Sequence, residues 1–353
     1  MKQEIMDLWK VCFNDTEEFI RFYFEKKYRE ENVLVARNHT GAVIAALQTP
    51  LYSMTYANTE IPVGYILGAC THPLERGRGI MTGLLKEAFS MLRKRKIPMS
   101  VLIPADEWLF DYYGKMGYAT VFDYTLEHYI CPEKPLTNEF RVEVIRDEAL
   151  LDRSLYVYLR KMMRQRSCCV QHDQEDFKTI VGDLRLAEGF LVVVYCKMEI
   201  VGMAFAAPNG NHVLIQDWVY NSDEVKQRIL WEVMINLDMA EIYCRALPAG
   251  RNEMHRGMAR VLDVEYLMQL YAKNHPEQNI NLKITDDLIP ENTGIYLVCD
   301  GGVCRHHDES IPVDATLNER ELVQLLLGYH PERYPKLMGM FIKSTPFISL
   351  MLD

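Results

Sequence analysis

The sequence predicts two consecutive α/β units followed by a small α+β domain. Three observations carry that prediction. At 353 residues the chain is longer than the roughly 250 at which a single core stops growing. One order of elements (two helices, a hairpin, a strand, a helix and a strand) occurs twice over the first two thirds. The remainder breaks that order and mixes short strands with two amphipathic helices. The predicted boundaries are 1–135, 136–255 and 256–353.

In the first unit, Leu8, Val11 and Cys12 share one face of an opening helix, and Phe19, Ile20, Tyr23 and Phe24 share one face of a second. Two β-branched runs joined through Gly41 read as a hairpin. A strand over 65–72, a helix over 76–96, a strand over 98–105, a short helix with a turn over 107–118 and a strand over 119–130 follow. A linker with two prolines and mixed charge closes the unit near residue 135. The second unit reads as a strand at 142–146, helices near 148–165 and 175–187, and a hairpin over 189–206. A strand at 212–220, a helix at 223–237 and a strand at 240–246 complete it. The third opens on 259–263, then a helix at 264–274, strands at 280–286, 294–302 and 303–307, and a helix at 319–329.

Composition narrows the function. With 39 basic and 49 acidic residues the net charge is −10, so little is available to neutralise a phosphate backbone, and nucleic acid is excluded as a partner. A hydrophobic fraction of 49% with 25% charged residues describes a globular chain rather than a disordered one. Nine scattered cysteines, an odd number, imply reduced thiols. No apolar h-region opens the chain, and Lys197 and Glu199 interrupt its most apolar stretch, so no signal peptide and no membrane span are expected. A cytoplasmic protein follows, with a homo-oligomer compatible.

The most specific segment is 65–85. A buried strand ends at Thr71, the chain turns through His72 and Pro73, and Arg76, Gly77, Arg78, Gly79, Ile80 and Met81 open a helix. Glycines at a helix start leave backbone N–H groups uncovered where the helix dipole favours an anion, and a pyrophosphate fits that chemistry. A glycine-rich helix entry with arginines facing water is the alternative. The pattern is neither GxGxxG nor GxxxxGK[ST], so neither NAD nor ATP is indicated.

This order of elements, with R-x-x-G-x at a helix start and Tyr113-Gly114-Lys115-Met116-Gly117-Tyr118 after the next strand, resembles the GCN5-related N-acetyltransferases (GNAT). Met81 stands where that family usually has Gly or Ala, and this bulky residue fits the Eis-like subgroup. Those proteins have tandem GNAT domains, the second degenerate, and a sterol-carrier-like C-terminal domain. The resemblance implies acetyl-CoA as co-substrate, no metal, and a small-molecule or peptide amine as acceptor. It implies that Arg76 to Thr82 hold the pyrophosphate. It implies that the backbone of Ala69, Cys70 and Thr71 meets the pantetheine and the thioester carbonyl. Asp106 and Glu107 follow the strand bounding the cleft and are candidates to bind cofactor; alternatively they cap the next helix. In the second unit Asn221-Ser222-Asp223-Glu224 replaces the glycine turn, and its two acids would repel a pyrophosphate.

Tyr113 matches the family's general acid. With reference pKa values of ~10 for tyrosine and ~8.5 for a thiol, protonating the leaving thiolate is uphill by only ~2 kcal/mol. The alternative, which the motif match disfavours, is that Tyr112, Tyr113 and Tyr118 are aromatic packing, and Tyr112 is the nearest rival for the role. A lysine-like amine must first lose a proton, at ~4.6 kcal/mol at pH 7, so a base is expected. The resemblance assigns that role to the C-terminal carboxylate, here on Asp353, behind the apolar run Phe347 to Leu352. Asp15 matches an acidic residue of the amine pocket, and also reads as the start of a capping box with Glu18. The cluster Cys299, Cys304, His306 and His307 surrounds Asp300-Gly301-Gly302, which is hairpin chemistry, so a structural zinc is not expected. Cys168-Cys169 is vicinal and carries no redox expectation. The sequence therefore predicts an N-acetyltransferase. The reading from a different class is a non-catalytic, acetyl-CoA-responsive or lipid-binding protein that works through its last domain.

Overall fold

A computed structural model describes residues 1–135, 139–250, 252–306 and 310–352. Helix α1 (Lys2–Cys12) buries Ile5, Leu8 and Trp9, and α2 (Glu17–Lys26) buries Ile20, Phe22, Tyr23 and Phe24. These aromatics form a tilted and edge-to-face stack around Trp9, each worth about 1.5–3 kcal/mol of burial. The expected hairpin is β1 (Val33–Arg37) with β2 (Val43–Gln48). A second hairpin follows that the sequence reading passed over: β3 (Leu51–Tyr56) and β4 (Thr59–Tyr65), closed by Ala57 and Asn58 in left-handed conformations. Then come β5 (Leu67–Thr71), α3 (Ile80–Lys94), β6 (Met99–Leu102), α4 (Glu107–Gly114) and β7 (Ala119–Ile130).

The second unit contains β8 (Phe140–Ile145), α5 (Arg153–Arg164), β9 (Val170–Gln171) and α6 (Gln174–Leu186). The hairpin β10 (Phe190–Cys196) with β11 (Glu199–Asn209) follows, then β12 (His212–Tyr220), α7 (Asp223–Leu237) and β13 (Glu241–Ala246). Next in the chain are β14 (Glu253–Val261), α8 (Val264–Asn274), β15 (Ile280–Thr285), β16 (Gly294–Cys299), β17 (Gly302–His306), β18 (Ala315–Asn318) and α9 (Glu319–Leu326).

The described strands form three sheets. A small one is ordered β1-β2-β5, and a four-stranded one β17-β16-β15-β18. The third has eleven strands in the order β8-β10-β11-β12-β13-β7-β14-β6-β4-β3-β9. It joins the two α/β units edge to edge through the β13–β7 pairing. The strand expected at 259–263 to open the last domain is the end of β14, which lies between β7 and β6 and completes the first unit's sheet. The expected boundary at 255/256 therefore falls inside a strand. One apolar cluster continues from Trp9 and Tyr23 through Val63, Val101 and Val121 to Leu267, Leu282 and Leu322, so the first unit and the last domain share a core.

Residues 346–352 are all buried. Phe347 bridges Cys169, and Ile348 lies against Gly257 of β14. The Ser349 hydroxyl donates to Asp217 at 2.6 Å, and the same carboxylate holds Arg166 in a two-pronged ion pair. No helix of the described residues is long and apolar enough to cross a membrane.

Candidate acetyl-CoA site

The site begins where two neighbouring strands part. Strand β4 runs parallel to β6 as far as Tyr65 opposite Val101, and the Ile66 N–H donates to the Val101 carbonyl at 2.9 Å. Gly68, with φ +57, then turns the chain away, and β5 pairs with β2 on one side only. A side chain at Gly68 would collide with the Trp9 ring at 2.4 Å, so the turn needs glycine for both conformation and space. Among the described residues the edge of β5 toward β6, along Ala69, Cys70 and Thr71, has no strand partner. The Thr71 carbonyl there accepts from Arg76, and the rest of that edge can bond something placed between the strands.

The glycine turn stands at the head of this opening. Gly77 and Gly79 have φ of +77 and +75, and a Cβ on either would meet nothing within 4 Å. Gly79 caps α3 in a left-handed conformation with no side-chain bond to the helix. The Gly83 N–H closes the first helical bond onto the Gly79 carbonyl, so the N–H groups of Ile80, Met81 and Thr82 lie ahead of the ladder and lack helical partners. Arg76 donates its Nε–H to the Thr71 carbonyl at 3.1 Å, tying the turn to the strand end. Arg78 pairs with Glu75 at 2.6 Å. The structure thus brings together the residues that the sequence picked out between Ala69 and Thr82.

Tyr113 is buried against the α3 side of the opening, in a cluster with Ile66, Leu85, Leu102 and Tyr118. Burial pushes its hydroxyl well above the ordinary tyrosine value. That keeps the proton on the group at neutral pH and makes it a weaker acid than free tyrosine. Tyr112 packs edge-on against it and places its own hydroxyl 3.4 Å from Thr82 Oγ1, in the first turn of α3. Asp106 occupies the N-cap position of α4, but its side chain makes no capping bond; Glu107 opens the helix and is exposed. Asp15 does not cap α2 either. Thr16 does, accepting from the Phe19 N–H, while Asp15 accepts from the Trp9 indole N–H at 2.7 Å. The capping-box expectation is therefore corrected, because Thr16 takes the N-cap one residue later. Asp353 and His307 lie outside the described residues.

The second unit lacks this arrangement. Ser222 caps α7 by accepting from Val225, and Lys226 lies over the rings of Tyr129, Trp218 and Tyr220 and pairs with Glu127. Cys299 and Cys304 are exposed on the β16–β17 hairpin, whose turn has Asp300 and Gly301 at positive φ. A group the sequence did not suggest is Asp123, Glu253 and His330, whose ligand-type atoms lie within 4.8 Å of one another. Asp123 is there bonded by Tyr329 and His255.

Residues 2–121 match the family model for an acetyltransferase (GNAT) domain, and residues 264–341 match that for a sterol carrier protein domain. Three solved structures share the fold over nearly the whole chain. A GCN5-related N-acetyltransferase from Anabaena variabilis superposes with TM-score 0.76 at 16% identity, covering 98% of this chain and 96% of that one. A probable N-acyltransferase from Enterococcus faecalis gives 0.76 at 15%, covering 99% and 96%. Eis1 from Mycobacterium abscessus gives 0.69 at 15%, covering 95% and 89%. At these identities the likeness is one of fold. No curated protein matches the chain in sequence.

Proposed function

We propose that the chain, whose residues 2–121 match the acetyltransferase (GNAT) domain model and 264–341 the sterol carrier protein domain model, is an Eis-like GCN5-related N-acetyltransferase that transfers an acetyl group from acetyl-CoA to a primary amine. The observation that carries the proposal is the parting of β5 from β6 just ahead of an uncapped glycine turn. The turn offers N–H groups to a pyrophosphate, and the free edge of β5 offers backbone groups to a pantetheine amide and a thioester carbonyl.

In this reading the amine nitrogen attacks the thioester carbon directly, within a ternary complex. The C–N bond forms, the C–S bond breaks, and the sulfur leaves as thiolate. Tyr113 gives its proton to that thiolate. The ammonium proton passes to a carboxylate at Asp353, carried by the buried run 346–352 that packs against β14. Asp15 lines the amine side, Asp106 and Glu107 flank the cofactor side, and Arg76 and Arg78 supply positive charge near the pyrophosphate. Among the described residues only the first unit has this construction, so one acetyl-CoA binds per chain.

CoA release measured over a panel of polyamines, aminoglycosides, arylamines and lysyl peptides tests the proposal and sorts the acceptors. Absence of turnover on every class, with acetyl-CoA still bound, sinks it. A residue appended after Asp353 should abolish turnover while leaving acetyl-CoA binding intact, whereas Asp353→Ala, which keeps the α-carboxylate, should do less harm. The second reading, a non-catalytic acetyl-CoA-responsive or lipid-binding protein, draws on the sterol carrier domain. A thermal shift with fatty acyl ligands and none with acetyl-CoA would favour its lipid-binding form, and a shift with acetyl-CoA but no turnover its acetyl-CoA-responsive form; the fold does not set the ligand.

A further inference from the structure

Helix α1 ends on Cys12, and β5 carries Cys70 in its buried row. Packing α1 over the small sheet sets Cys70 in the buried apolar cluster with Cys12 packed against it, and the Cys12 sulfur stands 3.5 Å from the carbonyl of Thr71, the residue next to Cys70. As a thiol, Cys12 donates to that carbonyl, the same oxygen that accepts from Arg76. The Arg76 guanidinium and the Cys12 sulfur thus meet at one carbonyl oxygen. Cys12 is partly exposed, whereas Cys70 is only 5% exposed. A partly accessible sulfur beside a guanidinium, with a second sulfur behind it, is the arrangement of a peroxide-sensing cysteine with its resolving partner.

We propose that Cys12 and Cys70 form a disulfide when a hydroperoxide enters the cleft, and that this bond reversibly restrains acetyl-CoA binding. In the first step the Cys12 thiolate attacks a peroxide oxygen. An S–O bond forms, the O–O bond breaks, and hydroxide leaves and takes a proton. In the second, the Cys70 sulfur attacks the Cys12 sulfur, the S–O bond breaks, and the departing hydroxide accepts the Cys70 proton. Two thiols and one hydrogen peroxide become one disulfide and two waters; the sulfurs lose two electrons and the peroxide oxygens gain them. A dithiol reverses the change by exchange.

The surroundings of the two sulfurs suit those separate roles. The neighbouring Cys70 thiol, opposed by partial burial and assisted by Arg76, brings Cys12 down to about 7, and Cys12 together with burial pushes Cys70 up. The vicinal pair Cys168 and Cys169 has the opposite character, both thiols being buried and raised to about 11 and about 12. A disulfide needs the sulfurs at ~2.05 Å, much closer than two free thiols can stand, so closing the bond draws β5 toward α1. That shift removes the Cys12 bond to the Thr71 carbonyl at the edge that, on the reading above, receives the thioester. A displacement of ~1 Å in a positioning group can lower turnover by ~10²-fold, so a drop of about tenfold or more is expected.

The test treats the full chain with hydrogen peroxide, blocks remaining thiols, and maps peptides without reduction. The expected result is a linked Cys12–Cys70 peptide that disappears with dithiothreitol and in Cys12→Ser, which keeps its basal turnover. In Cys70→Ala, dimedone should label Cys12 as the trapped sulfenic acid. Failure to find the linked peptide at peroxide levels that oxidise exposed Cys131 overturns the proposal. So does a linked protein whose acetyl-CoA affinity by calorimetry equals that of the reduced form. The restraint rests on the acetyltransferase reading, but the peptide map does not. A reduced protein that fails to bind acetyl-CoA would count against that reading while leaving the disulfide decided by the map.

Discussion

Arg260 of β14 and Asp286, just beyond β15, form an ion pair of 2.7 Å in which neither side chain is exposed. The pair joins the first unit's sheet to the last domain. It also explains a glycine in the tyrosine segment. Gly117 has φ +80, and a Cβ there would fall 1.3 Å from the Arg260 guanidinium. The same guanidinium lies over the Phe89 ring of α3 at 4.9 Å. One arginine thus braces α3, the turn after Tyr113 and the domain behind them.

Removing it should be severe. Asp286 also accepts from the Leu288 and Ile289 N–H groups and from Asn292, so its charge stays in place when Arg260 goes. Arg260→Met should lower stability by about 3–5 kcal/mol, the usual effect of stripping one partner from a buried pair. A urea midpoint equal to that of the parent would contradict the bracing role.

Gly79→Glu should leave the fold nearly intact and remove acetyl-CoA binding. The added Cβ meets no neighbour within 4 Å, but φ +75 strains a non-glycine residue by about 1–2 kcal/mol. A carboxylate at the head of α3 then repels the pyrophosphate. Affinity should fall by at least ~100-fold, which is ~2.7 kcal/mol. Calorimetry showing unchanged binding would detach the glycine turn from the cofactor.

The two tyrosines separate in kinetics. Tyr113→Phe should lower kcat by ~10²–10⁴-fold, the range for losing a general acid, with KM for acetyl-CoA little altered. Tyr112→Phe loses only its contact with Thr82 and should change KM more than kcat. The reverse pattern would transfer the acid role to Tyr112.

What was legible in the sequence had strong punctuation. Strand β7 and helix α8 match their expected bounds because each carries an unbroken period between clear breakers. The β3–β4 hairpin escaped because its turn, Ala57-Asn58, lacks the glycine that usually marks one, and Pro62 argues against a strand; Pro62 precedes the stretch that pairs with β6. Strand β14 was placed with the wrong neighbours because its partners, β6 and β7, lie more than a hundred residues earlier, and local pattern says nothing of such pairing. The same limit hid Cys12 beside Cys70, whereas the glycine turn was visible because its residues are consecutive.

His172 links pH to the terminal segment. Its Nε2 stands 3.0 Å from the Ser349 carbonyl, so it donates there, while Nδ1 is buried without a partner among the described residues. The neutral imidazole with its proton on Nε2 satisfies that geometry. Burial lowers its pKa; Asp176 and Asp217 oppose the shift and Lys27 adds to it. The unfolded chain takes up a proton below the reference value of ~6.5, and the folded chain resists doing so. Stability is therefore flat above ~6.5 and falls as pH drops below it, by at most about 1.4 kcal/mol per pH unit. His172→Gln can still donate to Ser349 and cannot titrate. Between pH 7.5 and 5 the parent should lose up to about 2 kcal/mol more than this variant in urea titrations, and its turnover should decline in parallel as the segment carrying Ser349 loosens. Identical pH profiles for the two proteins would show that His172 does not govern acid stability.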